Sequence, residues 1–300
     1  MVHVSPRWQK LGLVARFELG EALRSRLVVV VLCLYGAGAG VGAFGFVMAL
    51  DTAEQAARTT LEGSMNAHDV PPDVVRREAL PRLIQSLVDD RELQKELLQI
   101  DPLALFYGFA ALHLVAALVL LTSGGTHASD IGRGATRFVL TRCDRLSWAL
   151  GKALGQAALL ALGLSVGALV TAAVGLWQSR FDPATLLWLA RASFRALVYG
   201  LAYLGIFVGL ALALRSPARA RAACVLALFG LWLGHALSGA HWVAERLPLA
   251  SALVWLFPGE YQDLLWSPSW LVSGGAMLAL LGLGTLAFVG GYSKFRRSDA

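Results

Sequence analysis

The chain has 300 residues, 57% of them hydrophobic and only 15% charged, with a formal net charge of +6. A soluble domain of this size needs more surface charge than that, so the composition excludes an ordinary soluble enzyme. The three cysteines, Cys33, Cys143 and Cys224, lie far apart and form neither a disulfide framework nor a metal-ligand spacing.

The charges that do occur are clustered. Residues 27–50, 102–129, 153–179, 196–214, 222–244 and 264–293 contain no Asp, Glu, Lys or Arg. About 20 apolar residues cross the hydrocarbon core of a bilayer, and five of the six stretches exceed that length. Buried helices of a soluble bundle would be shorter and would carry a polar stripe. The expected class is an all-α integral membrane protein with six transmembrane helices.

Residues 1–26 carry five basic residues and no apolar core, which reads as a retained cytoplasmic segment and not a cleaved signal. Within "RWQKLGLVARFELGEALRSR" (7–26), Trp8, Leu11, Ala15, Leu19 and Leu23 share one helical side. This predicts an amphipathic helix in the interface plane; basic residues that merely orient the first span are the other reading. Span 1 is expected over 27–50 and contains "GVGAFG" (40–45), a letter-for-letter match to the dinucleotide-binding fingerprint. That fingerprint needs a strand before it and a loop at the glycines, whereas here it lies inside an uncharged run where loop backbone would be unsatisfied. As a helix, Gly36 and Gly40 fall on one face and Gly38, Gly42 and Gly45 on the opposite one, spacings that admit close neighbours.

Residues 51–103 form an acid-rich segment, with Leu80, Leu83, Ile84, Leu87 and Val88 at helical spacing, followed by Leu93, Leu97 and Ile100. It is expected to be an outer helical cap. Span 2 follows over 104–126. Residues 127–152 are long for a turn and interleave Arg133, Arg137, Arg142, Arg145 and Lys152 with Phe138, Val139, Leu140, Leu146 and Trp148. That mixture suits a short helix that docks into another protein's groove. Spans 3, 4 and 5 are expected over 153–177, 188–214 and 222–238. Residues 239–269 carry Trp242, Trp255, Tyr261 and Trp266, with Trp270 just beyond, and read as a re-entrant or interfacial segment at headgroup depth. Span 6 (270–291) and a basic tail (292–300) complete the chain.

With the N-terminus in the cytoplasm, the inner segments hold 16 of the 26 Lys and Arg in short connections, and the outer segments hold 15 of the 20 acids. The positive excess in short loops is the topology signal, and it places both termini in the cytoplasm.

The inner segments and the overall layout resemble the permease subunits of ABC-2-type transporters, in particular the six-span branch. The features that carry the resemblance are "FELGEALRSR" before span 1, Asp130, Gly134, Arg145 and Lys152 in the loop after span 2, "LFPGEYQDLL" (256–265) before the last span, and the ending "YSKFRRSDA". Cys143 stands where the family has proline, and Ala135-Thr136 replaces its Gly-Thr order. The resemblance implies a bacterial inner-membrane protein acting as a homodimer or with a close homologue. A separate cytoplasmic ATPase would carry the ATP and magnesium, with no cofactor on this chain. The residues implied to meet that ATPase are Asp130, Arg133, Arg137, Phe138, Arg142, Arg145 and Lys152, with Arg16, Glu18 and Glu21 of the first helix. A periplasmic partner at 51–103 is a further expectation; nucleic acid is not.

No nucleotide loop is expected at Gly151-Lys152, because Leu146 and Ala153 occupy positions where a P-loop has Gly and Ser or Thr. Four other side chains stand out. His113 and His235 lie in spans, either as functional groups or as neutral donors to a neighbouring helix. Arg191 and Arg195 are four residues apart and face lipid phosphate, an anionic substrate, or simply the headgroups. Metal ligation is not expected at His235 and His241, six residues apart. The readings that compete with a permease are a membrane-embedded enzyme on a lipid or lipid-linked substrate, and a non-transporting scaffold or sensor.

Overall fold

Three of the long helices start at a proline, and two of those prolines directly follow a capping side chain. Asp101 Oδ1 accepts the Leu103 and Ala104 amides at 2.9 and 3.2 Å ahead of Pro102. Asp182 caps the helix starting at Pro183 through the Ala184 amide (3.0 Å), and Ser216 precedes Pro217. Proline at the first helical position lacks only an amide that would be orphaned anyway, and the cap satisfies another.

The computed structural model describes residues 7–64, 100–178, 180–214, 216–238, 254–267 and 269–297. In chain order the helices are α1 (Arg7–Arg24), α2 (Arg26–Ser64), α3 (Pro102–Ser123), α4 (Thr126–Gly132), α5 (Ala135–Leu140), α6 (Arg145–Trp177), α7 (Pro183–Ala213) and α8 (Pro217–Ser238). Two 3-10 turns (Val254–Leu256, Pro258–Glu260), α9 (Tyr261–Trp266) and α10 (Trp270–Arg297) follow. Among the described residues there is no strand. Six segments, based on α2, α3, α6, α7, α8 and α10, are long and apolar enough to cross a membrane, at 21 to 33 residues each. They mark the chain as a multi-pass helical membrane protein. The apolar positions expected to form a cap between 80 and 97, and Trp242, lie outside the described residues.

Two connections depart from the simple sequence picture. α2 runs 39 residues without a break, so it extends well beyond the apolar run. The basic loop holds two short helices: Gly125 (φ 110°) separates α3 from α4, and Gly134 (φ 75°) separates α4 from α5. Only glycine enters that left-handed region without strain.

The chain divides into two compact units. One comprises residues 1–34, 112–164 and 194–300; the other comprises 35–111 and 165–193. In the second unit the glycines of α2 lie in continuous helix. A Cβ on Gly36 would meet Val166 at 3.1 Å, one on Gly40 would meet Val170 at 2.9 Å, and one on Gly42 would meet Phe106 at 2.8 Å. Gly38 and Gly45 have nothing within 4 Å. Ala43, Val47 and Leu103 form the core of this unit, with Phe106 and Val174 packed against it. Arg180 closes one end by pairing with Asp51 and, at 2.8 Å, with Glu54.

In the first unit, α7 and α10 touch backbone to backbone. A Cβ on Gly205 would collide with the Gly284 carbonyl, one on Gly209 with the Ala287 carbonyl, and one on Gly291 with the Gly209 carbonyl. This seam uses small residues to bring helix axes together, as membrane helices do without a hydrophobic drive between them.

Candidate functional site: a buried ion cluster beside a basic loop

Gly151 and Gly155 on α6 let α1 approach closely; added Cβ atoms there would lie 2.7 Å from Val14 and from Glu18 respectively. The α1 face turned to α6 is therefore Leu11, Val14, Ala15 and Glu18, while Trp8, Leu13 and Phe17 are exposed. The apolar stripe read from sequence is split, since Trp8 and Leu23 point away and an acid occupies the packed face.

That acid is one corner of a buried network. Lys152 Nζ, on α6, lies 2.6 Å from Glu18 Oε2 and 2.6 Å from Asp130 Oδ2 on α4. The Lys152 and Glu18 side chains are almost fully buried, and Asp130 is one-third exposed. Gln156, one turn along α6, donates to Glu18 Oε1 at 3.1 Å and to Thr126 Oγ1. Both Glu18 oxygens are thus occupied, which a carboxylate out of water requires. Two acids against one lysine leave the cluster formally at −1, with Asp130 the member that reaches solvent.

His127, next along α4, is completely buried. The Ala149 backbone lies close enough to interact with its ring, yet neither ring nitrogen makes a well-aligned hydrogen bond. Its edge meets Trp148 at 5.7 Å, Trp148 packs on Phe295 at 5.5 Å, and Arg145 lies 5.8 Å over the Phe295 ring. Arg145 Nη1 also donates to the Arg296 carbonyl at 2.8 Å. An aromatic column therefore fastens α4 and the start of α6 to the end of α10.

Next to this anchored floor, α5 turns Arg137, Phe138 and Val139 outward, with Phe138 81% exposed, and buries Thr136. Arg133, Arg142, Arg16 and Glu21 are exposed as well. The residues grouped from the sequence thus divide. Glu18, Asp130 and Lys152 converge inside; Arg133, Arg137, Phe138 and Arg142 face outward; Arg145 braces α10. His127, Gln156 and Phe295 carry much of the geometry without having stood out in the sequence.

The other singled-out side chains lie elsewhere. His235 Nδ1 pairs with Glu260 Oε1 at 2.9 Å, a carboxylate 25 residues away that no local spacing announces. Arg191 lies 5.0 Å over Trp188, and Arg195 lies 5.7 Å over Trp266. His113 sits on an exposed face of α3. Tyr261 bonds the Trp255 carbonyl at 2.9 Å, and Gln262 donates to Tyr199 at 2.9 Å, so the 254–266 segment is tied to α7. Among the described residues no group of three His, Cys, Asp or Glu could hold a metal.

No protein-family model matches the chain. No curated protein matches it either.

Proposed function

We propose that this chain is the membrane-spanning permease subunit of an ATP-binding cassette exporter, with both termini in the cytoplasm and working as a pair with a second permease copy. A separate cytoplasmic ATPase binds ATP and magnesium and docks on α5. The observation that carries this reading is the pairing of an outward Arg137-Phe138-Val139 face with the Asp130–Lys152–Glu18 cluster directly behind it in the chain and in contact with three helices. A force applied to α5 passes through Gly134 to α4, and Asp130 transfers it to α6 and α1. Buried ion pairs suit such a device, because they tolerate one geometry and resist intermediate ones.

The experiment is purification of the detergent-solubilised chain from its native membrane, followed by mass spectrometry of what accompanies it. A subunit carrying a Walker motif should co-purify in a fixed ratio. The R137E/F138A variant should lose it while keeping its melting temperature. An absent ATPase with wild-type protein, or one retained by the double variant, overturns the reading.

A further inference from the structure

We propose that a groove between α6, α7 and α10 holds one acyl chain of an anionic phospholipid, with its phosphate on the basic rim where α6 begins and α10 ends. The groove has a volume of about 230 Å³ and is lined by Leu150, Ala157, Leu204, Val208, Leu281 and Phe288, among others. Its floor exists because α7 and α10 touch at Gly205 and Gly284, and its α6 wall is hollow because Ala153 and Ala157 are small. Thr285 is the lone polar side chain in the lining, and its hydroxyl already donates to the Leu281 carbonyl at 2.7 Å. Water needs two to four polar partners to settle in a cavity, and a polar ligand needs them too; a hydrocarbon chain needs none. Leu154 and Leu281 at the groove's edges are 48% and 39% exposed. The groove therefore opens sideways along membrane-spanning helices, where the surrounding medium is lipid.

Charge selects which lipid. The Arg145 bond to the Arg296 carbonyl brings the α6 start and the α10 end together, and Lys294, Arg296 and Arg297 are exposed there. Asp144, beside Arg145, is engaged by the Ser147 amide and hydroxyl, and Asp299 is a single acid against Lys294, Arg296 and Arg297 in the tail sequence. At 1.5 Å per residue, Leu150 lies about 7.5 Å along α6 from Arg145 and Phe288 about 9 Å along α10 from Lys294. That sets the cations at headgroup depth with the groove just inside the hydrocarbon, the arrangement by which juxtamembrane Lys and Arg select anionic lipids. The proposal rests on the membrane-spanning architecture and stands or falls independently of any ATPase.

Its test is native mass spectrometry of protein delipidated and then equilibrated with equal phosphatidylglycerol and phosphatidylcholine. One phosphatidylglycerol per chain should remain, favoured at least 5-fold over phosphatidylcholine. K294A/R296A/R297A should abolish the preference, and A153L/A157L should lower occupancy at least 5-fold at unchanged elution volume. Should the filled variant misfold, a bimane label at Leu154→Cys, in a chain whose exposed Cys33 is replaced by Ser, gives the same readout in an otherwise native groove. Doxyl-labelled phosphatidylglycerol should quench it more than doxyl-labelled phosphatidylcholine does. Equal retention or equal quenching of the two lipids, or undiminished binding after the groove is filled, overturns the proposal. So does disulfide crosslinking of Leu154→Cys between two chains in a bilayer, again with Cys33→Ser, which would put a second copy in the groove.

Discussion

Lys152 joins carboxylates from two helices, and its value to the fold follows from what its loss would leave behind. In Lys152→Met, Glu18 would stay buried with Gln156 as its remaining close donor. Removing one partner of a buried pair costs about 3–5 kcal/mol, because the other charge stays desolvated. Thermal melting in detergent should show that loss, and K152M/E18Q/D130N should recover most of it, since neutral partners no longer need a counter-charge. A triple variant as unstable as K152M would mean that lysine packing, not charge, is what matters. Asp144 acts at the same scale. Its carboxylate accepts the Ser147 hydroxyl at 2.7 Å and the Ser147 amide at 3.1 Å, capping α6. The hydroxyl bond foremost holds its pKa below the usual carboxylate value. The cap therefore contributes fully above the unfolded-state pKa of about 3.9 and fades as pH falls through the lower folded-state value. Asp144→Ala should lower stability by about 1 kcal/mol near neutrality. The gap between variant and wild type should close in acid; a gap constant down to pH 2 would contradict the assignment.

Helices in this chain are positioned by where they lack side chains. The α7–α10 seam is the clearest instance, because a Cβ on Gly209 would occupy the space of the Ala287 carbonyl. Gly209→Leu should therefore abolish folded protein or drop its melting temperature steeply, with no rotamer able to escape the backbone. The glycines of α2 separate into two kinds. Gly36, Gly40 and Gly42 face side chains of their own unit, whereas Gly38 is open. Leucine at Gly38 should leave the melting temperature of the single chain unchanged and weaken association of two copies, read by crosslinking in liposomes. A destabilised single chain carrying that substitution would show that α2 is packed differently.

At the scale of the whole chain, the long helices were legible because each depends on a local property. An uncharged run of bilayer length is visible without knowing what lies beside it, although α7 begins at Pro183, five residues before the expected start of span 4 at 188. The exposed Phe138 was legible for the same reason. The meeting of Glu18 with Lys152, 134 positions apart, was not, since no periodicity links residues so distant and the apolar stripe of α1 drew attention to another face. His127 looked like any histidine beside a span until folding enclosed it. The same separation in sequence has a consequence for how the α7–α10 seam comes into being. Gly209 and Gly291 are 82 positions apart, and at about 5–20 residues per second of synthesis the later one emerges about 4–16 s after the earlier. For that interval α7 is in the membrane with a glycine-cut, bare-backbone flank and nothing made yet to fill it. The newborn α7 must be held by the insertion machinery, or lean on a temporary neighbour, until α10 arrives. The backbone-to-backbone contact of α7 with α10 thus has to wait for a partner made 82 residues later.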